Sequence, residues 1–203
     1  MIGIVDYGVG NLKSILNGML FDKADDVCLI SDPTDLGGCD KILLPGVGAF
    51  REAMSRLVDM GFDVVLKEQV AKGVPLLGIC LGMQLLASKS YEGGETPGLD
   101  LISGEVTRID WEGVNVPHMG WNSVEHDGTG LFVGVKNGSD FYFVHSYHFV
   151  PDSNAAIVST TDYGERFVSS VWFENVYGVQ FHPEKSQRDG LRILRNFIEL
   201  NNG

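Results

Sequence analysis

The sequence predicts an α/β fold: a mainly parallel central sheet flanked by helices, with antiparallel additions in the second half. Three observations carry that expectation. Short apolar runs alternate with glycine-containing turns and helical periods from residue 2 to about residue 90. Beyond that point strand-like runs follow one another with only short turns between them. A chain of 203 residues, 44% hydrophobic and 21% charged, has the size and composition of one globular domain, residues 1–203.

Ile2 to Asp6 reads as the first strand, and Leu12, Ile15, Leu16 and Met19 recur at helical spacing after it. Gly8 and Gly10 lie between them. A dinucleotide cradle would need a third glycine where Lys13 stands, so these glycines are read as a tight strand-to-helix turn with Asn11 near the helix start. Val27–Ile30 and Lys41–Leu44 are further strands. Pro45-Gly46-Val47-Gly48-Ala49-Phe50 is a glycine loop before a helical region, broken near Gly61, that runs to about Lys72. Val74–Ile79 is the next strand. In parallel sheets sites form beyond the carboxyl ends of strands, so the Gly46 loop and Cys80 share one crevice. Gly104–Asp110, Phe141–Val150, Ile157–Thr161, Val168–Phe173 and Val176–Phe181 are strand-like and extend the sheet or form a small side sheet. Ser186 is placed to cap the last helix, with Asp189 three residues on and Leu191, Leu194, Phe197 and Ile198 as its buried face. No repeat or linker divides the chain.

Composition excludes several classes of function. A net charge of -12 disfavours nonspecific binding to nucleic acid or anionic membrane. No apolar run approaches a membrane span, and Met1–Asp6 lacks the basic flank and long apolar core of a signal peptide. Three cysteines, odd and sparse, predict reduced thiols and a cytoplasmic protein.

The chemistry centres on Gly78-Ile79-Cys80-Leu81-Gly82, where an apolar strand meets a helix beginning at Met83-Gln84-Leu85-Leu86-Ala87. Strand, small-residue turn and helix make a nucleophile elbow, here carrying Cys. The turn favours strained dihedrals at the nucleophile, the glycines allow close passage of neighbouring chain, and the helix N-terminus favours thiolate over thiol. A cysteine nucleophile needs a base and the base an orienting group. His182-Pro183-Glu184 supplies both at a strand end; in extended chain, residues two apart project to the same side, so Glu184 reaches one imidazole nitrogen while the other faces Cys80. The Leu81 N–H and a donor from the Gly46–Gly48 loop, Val47 N–H, are the candidate oxyanion hole. His118, His126, His145 and His148 match no metal-binding spacing, so no metal and no cofactor are expected, and His145 fits packing as well as function.

Gly78 to Gln84 together with His182-Pro183-Glu184 resembles the class I (triad) glutamine amidotransferases. Asp6 to Leu12, Pro45 to Phe50, Pro117-His118-Met119-Gly120-Trp121-Asn122 and Tyr142 to Tyr147 narrow the resemblance to the glutaminase subunits of imidazole glycerol phosphate synthases, over nearly the whole chain. This resemblance implies that Cys80 attacks the glutamine side-chain amide, that His182 moves the protons and that Glu184 orients His182. It implies a glutamine pocket lined by Gly48, Gln84, Glu92, His145, Ser146 and Tyr147, with Glu92 facing the ammonium group. It further implies that ammonia is channelled to a (β/α)8 cyclase subunit, which makes imidazole glycerol phosphate and aminoimidazole carboxamide ribotide in histidine biosynthesis. Asn11 and the His118–Asn122 loop match positions that face that partner, and the oxyanion loop can rest with its amide turned away. Two other readings stay open at this stage: a paralogous glutaminase serving a sugar-modifying partner, and an independent cysteine hydrolase of similar fold.

Overall fold

The computed structural model describes residues 1–21 and 26–200. Strand β1 (Ile2–Val5) leads through the expected glycine turn into helix α1 (Leu12–Phe21), followed by β2 (Val27–Ile30) and β3 (Lys41–Gly46). Helices α2 (Phe50–Met60) and α3 (Phe62–Ala71) are the two halves of the expected helical region. Gly61 parts them at φ +80°, a left-handed conformation that glycine adopts at no steric cost; its N–H bonds back to the Leu57 and Val58 carbonyls and closes α2. Strand β4 (Leu76–Cys80) runs directly into α4 (Leu81–Leu85). There follow β5 (Lys89–Ser90), β6 (Thr96–Pro97), β7 (Gly104–Arg108), β8 (His118–His126), β9 (Ser139–His145), β10 (Tyr147–Pro151), β11 (Ile157–Tyr163), β12 (Glu165–Phe173), β13 (Val176–Val179) and finally α5 (Gln187–Glu199).

Among the described residues, nine strands form one sheet in the order β2-β1-β3-β4-β13-β12-β11-β8-β9. The first five are mutually parallel and the remaining pairings are antiparallel. A second sheet, β10-β7-β5-β6, stands beside it. The second half thus supplies both an antiparallel extension and a side sheet.

The parallel strands read as continuous apolar runs because both of their faces are buried. Ile42 and Leu44 of β3 and Leu76 of β4 pack with Phe50, Leu57, Phe62 and Leu66 from α2 and α3. Leu43, Leu77 and Ile79 point the other way, into a cluster with Ile15, Met19, Ile193, Leu194 and Phe197 from α1 and α5. Each of these larger side chains contributes about 1.5–3 kcal/mol on burial, so the two layers clamp β4 from both sides and fix where its carboxyl end lies.

Three local expectations change. Phe141–Val150 is two strands: β9 pairs with β8 in the main sheet and β10 with β7 in the side sheet, with the switch at Ser146. Residues 118–122 are part of strand β8 and not a loop. Ser186 occupies the cap position of α5 but makes no capping bond; its Oγ donates to the His182 carbonyl at 2.6 Å and accepts from the Tyr142 N–H at 2.9 Å. It therefore ties the chain after β13 to β9.

Candidate active site

Cys80 sits at φ +56°, ψ −112°, a conformation that L-residues rarely adopt and that costs on the order of 1–3 kcal/mol. The glycines around it are required by space. A Cβ at Gly82 would lie 1.8 Å from the Leu44 carbonyl oxygen, and one at Gly78 would lie 2.6 Å from that of Gly82. At Gly46, which pairs with Cys80 in the β3–β4 ladder, a Cβ would meet the Tyr7 hydroxyl at 2.8 Å and Leu81 Cβ at 2.9 Å. The elbow therefore packs backbone against backbone. Helix α4 has only five residues, so the helix dipole expected to favour the thiolate is small.

His182 follows β13, beside β4, with its N–H bonded to the Tyr142 carbonyl at 2.9 Å. Its Nδ1 lies 2.9 Å from Glu184 Oε1, and the two side chains are 3% and 1% exposed. The route differs from the extended chain expected: His182 caps a 3-10 turn, Pro183–Lys185, and Pro183 at its first position starts the turn that brings Glu184 round to Nδ1. His182 Nε2 and Glu184 Oε2 are buried without a hydrogen-bond partner among the described residues. Burial alone disfavours the imidazolium, but the Cys80 sulfur and the Glu184 carboxylate outweigh it and raise His182 to about 10. With Nδ1–H given to Glu184, Nε2 is the atom left for Cys80.

A pocket of about 240 Å³ opens over this pair. Val47, Gly48, Leu81, Gln84, Glu92, His145, Ser146 and Tyr147 line it. Val47 is 39% exposed, and Gly48 takes φ +95° with no atom near where a Cβ would stand. Glu92 is partly committed elsewhere: its Oε2 accepts the Phe50 N–H at 2.7 Å, capping α2 in place of Ala49. Gln84 Nε2 donates to the Tyr147 carbonyl at 2.8 Å. His145 Nδ1 lies 2.8 Å from the same carbonyl, so it carries the proton and Nε2 accepts from His118 Nδ1 at 3.0 Å. Burial pushes His145 down to about 3 and His118 to about 4, so both rings are neutral. A larger groove of about 800 Å³ beside α5, with Lys136, Arg188 and Arg192, shares no residue with this pocket.

The expected partner-facing residues divide. Asn11 is exposed at the start of α1 and accepts weakly from Ser14 N–H at 3.4 Å. Met119 and Trp121 are 62% and 48% exposed, an unusual exposure for large apolar side chains. Gly120 lies between them at φ +138°. Asn122 bonds to the Asp162 carbonyl at 3.0 Å. His118 is the correction: it is 2% exposed and stacked on Tyr163 and Phe143, so its ring faces inward toward the site.

Residues 23–200 match the family model for glutamine amidotransferase class-I. The chain belongs to that family. It is 49% identical over 201 residues to the imidazole glycerol phosphate synthase subunit HisH of Moorella thermoacetica, covering 98% of this chain and 94% of that one. With the protein of the same name from Pyrococcus furiosus it shares 48% identity over 201 residues, covering 98% of each. Among solved structures, one described as a glutamine amidotransferase superposes with a TM-score of 0.78 at 18% identity, covering 98% and 97% of the two chains. A glutamine amidotransferase from Thermotoga maritima gives 0.65 at 18% identity, covering 98% and 82%. These two likenesses speak to the fold alone. No helix among the described residues is long and apolar enough to cross a membrane.

Two neighbours of the sulfur escaped the sequence reading. The Val144 carbonyl lies 3.9 Å from Cys80 Sγ, and Gln180 Nε2 lies 3.8 Å from it. A polar residue inside the apolar run Val176–Phe181 was the available signal for Gln180.

Proposed function

We propose that this chain is the glutaminase subunit of an imidazole glycerol phosphate synthase, hydrolysing glutamine and delivering ammonia to a (β/α)8 cyclase partner in histidine biosynthesis. The observation that carries the reading is that Cys80 and His182 line one pocket while buried Glu184 holds His182 Nδ1 at 2.9 Å, leaving Nε2 without a hydrogen-bond partner among the described residues. Cys80 attacks the side-chain carbonyl carbon of glutamine. The carbonyl electrons move onto oxygen, which accepts from the N–H groups of Leu81 and Val47. His182 gives its proton to the departing nitrogen, releasing ammonia and leaving a γ-glutamyl thioester. It then takes a proton from water, the water attacks the thioester, and glutamate leaves as the sulfur is restored. Glu184 holds the imidazole in the tautomer and orientation that this sequence of transfers needs.

Gly48, Gln84, Glu92, His145, Ser146 and Tyr147 shape the glutamine site, and the free oxygen of Glu92 receives the substrate ammonium. Asn11, Met119, Gly120, Trp121 and Asn122 form the docking face, where exposed Met119 and Trp121 present apolar surface for the cyclase. The histidine pathway is favoured over a sugar-modifying one by the names of relatives at 42–49% identity over nearly the full chain. Cys28, Cys39 and Cys80 are unpaired, which suits a reducing cytoplasm. A diazo-ketone analogue of glutamine tests the site: it should label Cys80 stoichiometrically and leave Cys80→Ser unlabelled. Labelling elsewhere, or none, would remove Cys80 from the chemistry.

A further inference from the structure

Gln180 is fully buried just after β13, and an amide in that position must satisfy its hydrogen bonds inside the protein. Its orientation follows from a chain of constraints. The Tyr147 carbonyl can only accept, so the Gln84 atom 2.8 Å away is Nε2. That nitrogen also lies 2.9 Å from the Gln180 amide, and a donor there requires Gln180 to present Oε1. The Gln180 Nε2 group therefore faces Cys80 Sγ, at 3.8 Å. The same sulfur has the Val144 carbonyl at 3.9 Å, an acceptor that interacts favourably only with the protonated thiol. The sulfur thus stands between a group that favours S–H and a group that favours S⁻.

We propose that Gln180 is a further catalytic residue, whose Nε2–H donates to the Cys80 sulfur and favours the thiolate, with Gln84 and the Tyr147 carbonyl fixing which end of the amide it presents. This rests on Cys80 being the nucleophile. The donor serves both halves of the reaction. Before attack it stabilises the anion that forms the C–S bond. When water opens the thioester, the C–S bond breaks with its electron pair returning to sulfur, and the same N–H receives the leaving thiolate. A neutral amide is suited to this, because a second fixed cation beside His182 would hold the thiolate too firmly to attack.

The test is alkylation of the full chain by iodoacetamide across pH, following the Cys80 peptide by mass so that Cys28 and Cys39 do not interfere. Gln180→Met should move the midpoint of the Cys80 profile up by about one pH unit, the loss of one charge-assisted hydrogen bond, with the high-pH rate preserved. Gln180→Glu should move it further, since a carboxylate oxygen then faces the sulfur. Both should lower kcat for glutamate release more than they raise KM. Should the Gln180 variants fail to fold, Gln84→Glu leaves Gln180 in place but substitutes an acceptor for the group that orients it; the Gln180 amide then turns over, its carbonyl faces Cys80, and the midpoint again rises. An unchanged midpoint in folded Gln180→Met, or in Gln84→Glu, overturns the proposal. A wild-type Cys80 that escapes the diazo-ketone label and alkylates like Cys28 would instead remove the assignment of the nucleophile.

Discussion

His182 Nδ1 lies 2.9 Å from Glu184 Oε1, and the carboxylate is as buried as the ring it holds. A buried carboxylate with one oxygen on Nδ1–H fixes the tautomer and stabilises the imidazolium without itself moving a proton. His182→Ala removes the proton carrier, whereas Glu184→Gln leaves it misoriented. Glu184→Gln is expected to retain roughly 10- to 100-fold more kcat/KM for glutamate release than His182→Ala. Equal losses, or a reversed order, would contradict these roles.

Gly82→Ala places a Cβ 1.8 Å from the Leu44 carbonyl oxygen, and neither backbone can yield without moving α4 from β3. The expected cost exceeds about 4 kcal/mol in urea denaturation, or the protein fails to fold. Gly48→Ala meets no atom but is held at φ +95°, so it should cost only about 1–2 kcal/mol while impairing glutamate release. A Gly82→Ala chain as stable as the native one would refute the packing account of the elbow.

Stability should fall in mild acid. His145 and His118 are held neutral by burial, to about 3 and about 4, but take a proton near about 6.5 when unfolded. Between these limits the unfolded chain binds more protons, so the contribution is complete above about pH 6.5 and is lost as pH falls. His182 has the opposite sign. Raised to about 10, it contributes fully below about pH 6.5 and loses that contribution as pH rises through about 10. Denaturant midpoints measured from pH 7 to 5, before carboxylates titrate, should decline; a flat profile would contradict neutral burial of the two rings.

Much of this site was legible because its parts are local. Gly78, Cys80 and Gly82 lie within five residues, as a nucleophile elbow requires, and His182 and Glu184 share one turn. Strand β8 was not legible because its alternation is inverted: His118 and Val124 face inward while Met119 and Trp121 face solvent. The β9–β10 switch at Ser146 left no mark, since an apolar run looks alike whichever sheet receives it. Gln180 needed tertiary structure, because its partners Gln84 and Cys80 are distant in sequence.

The exposed pair Met119 and Trp121 predicts the effect of disrupting the proposed docking face. Trp121→Ala should weaken partner binding by about 10- to 100-fold, as loss of an aromatic anchor does. Glutamate release at limiting cyclase should then drop and recover with excess cyclase. Failure to recover would place Trp121 in the chemistry and not in docking.

Val47, flanked by glycines and 39% exposed, predicts a poor glutaminase in the lone chain. One oxyanion donor out of place costs about 10²–10³ in kcat, so adding the liganded cyclase should raise glutamate release by that order. Full activity of the lone chain, unchanged by partner or ligand, would favour an independent hydrolase.

The most direct measurement compares two nitrogen sources in the assembled enzyme carrying Cys80→Ala. With glutamine, glutamate release and imidazole glycerol phosphate formation should both vanish. With ammonium salt, synthesis by the cyclase should continue at the wild-type rate, because nucleophile and cyclisation lie on different chains. Continued glutamate release from Cys80→Ala would contradict the central claim.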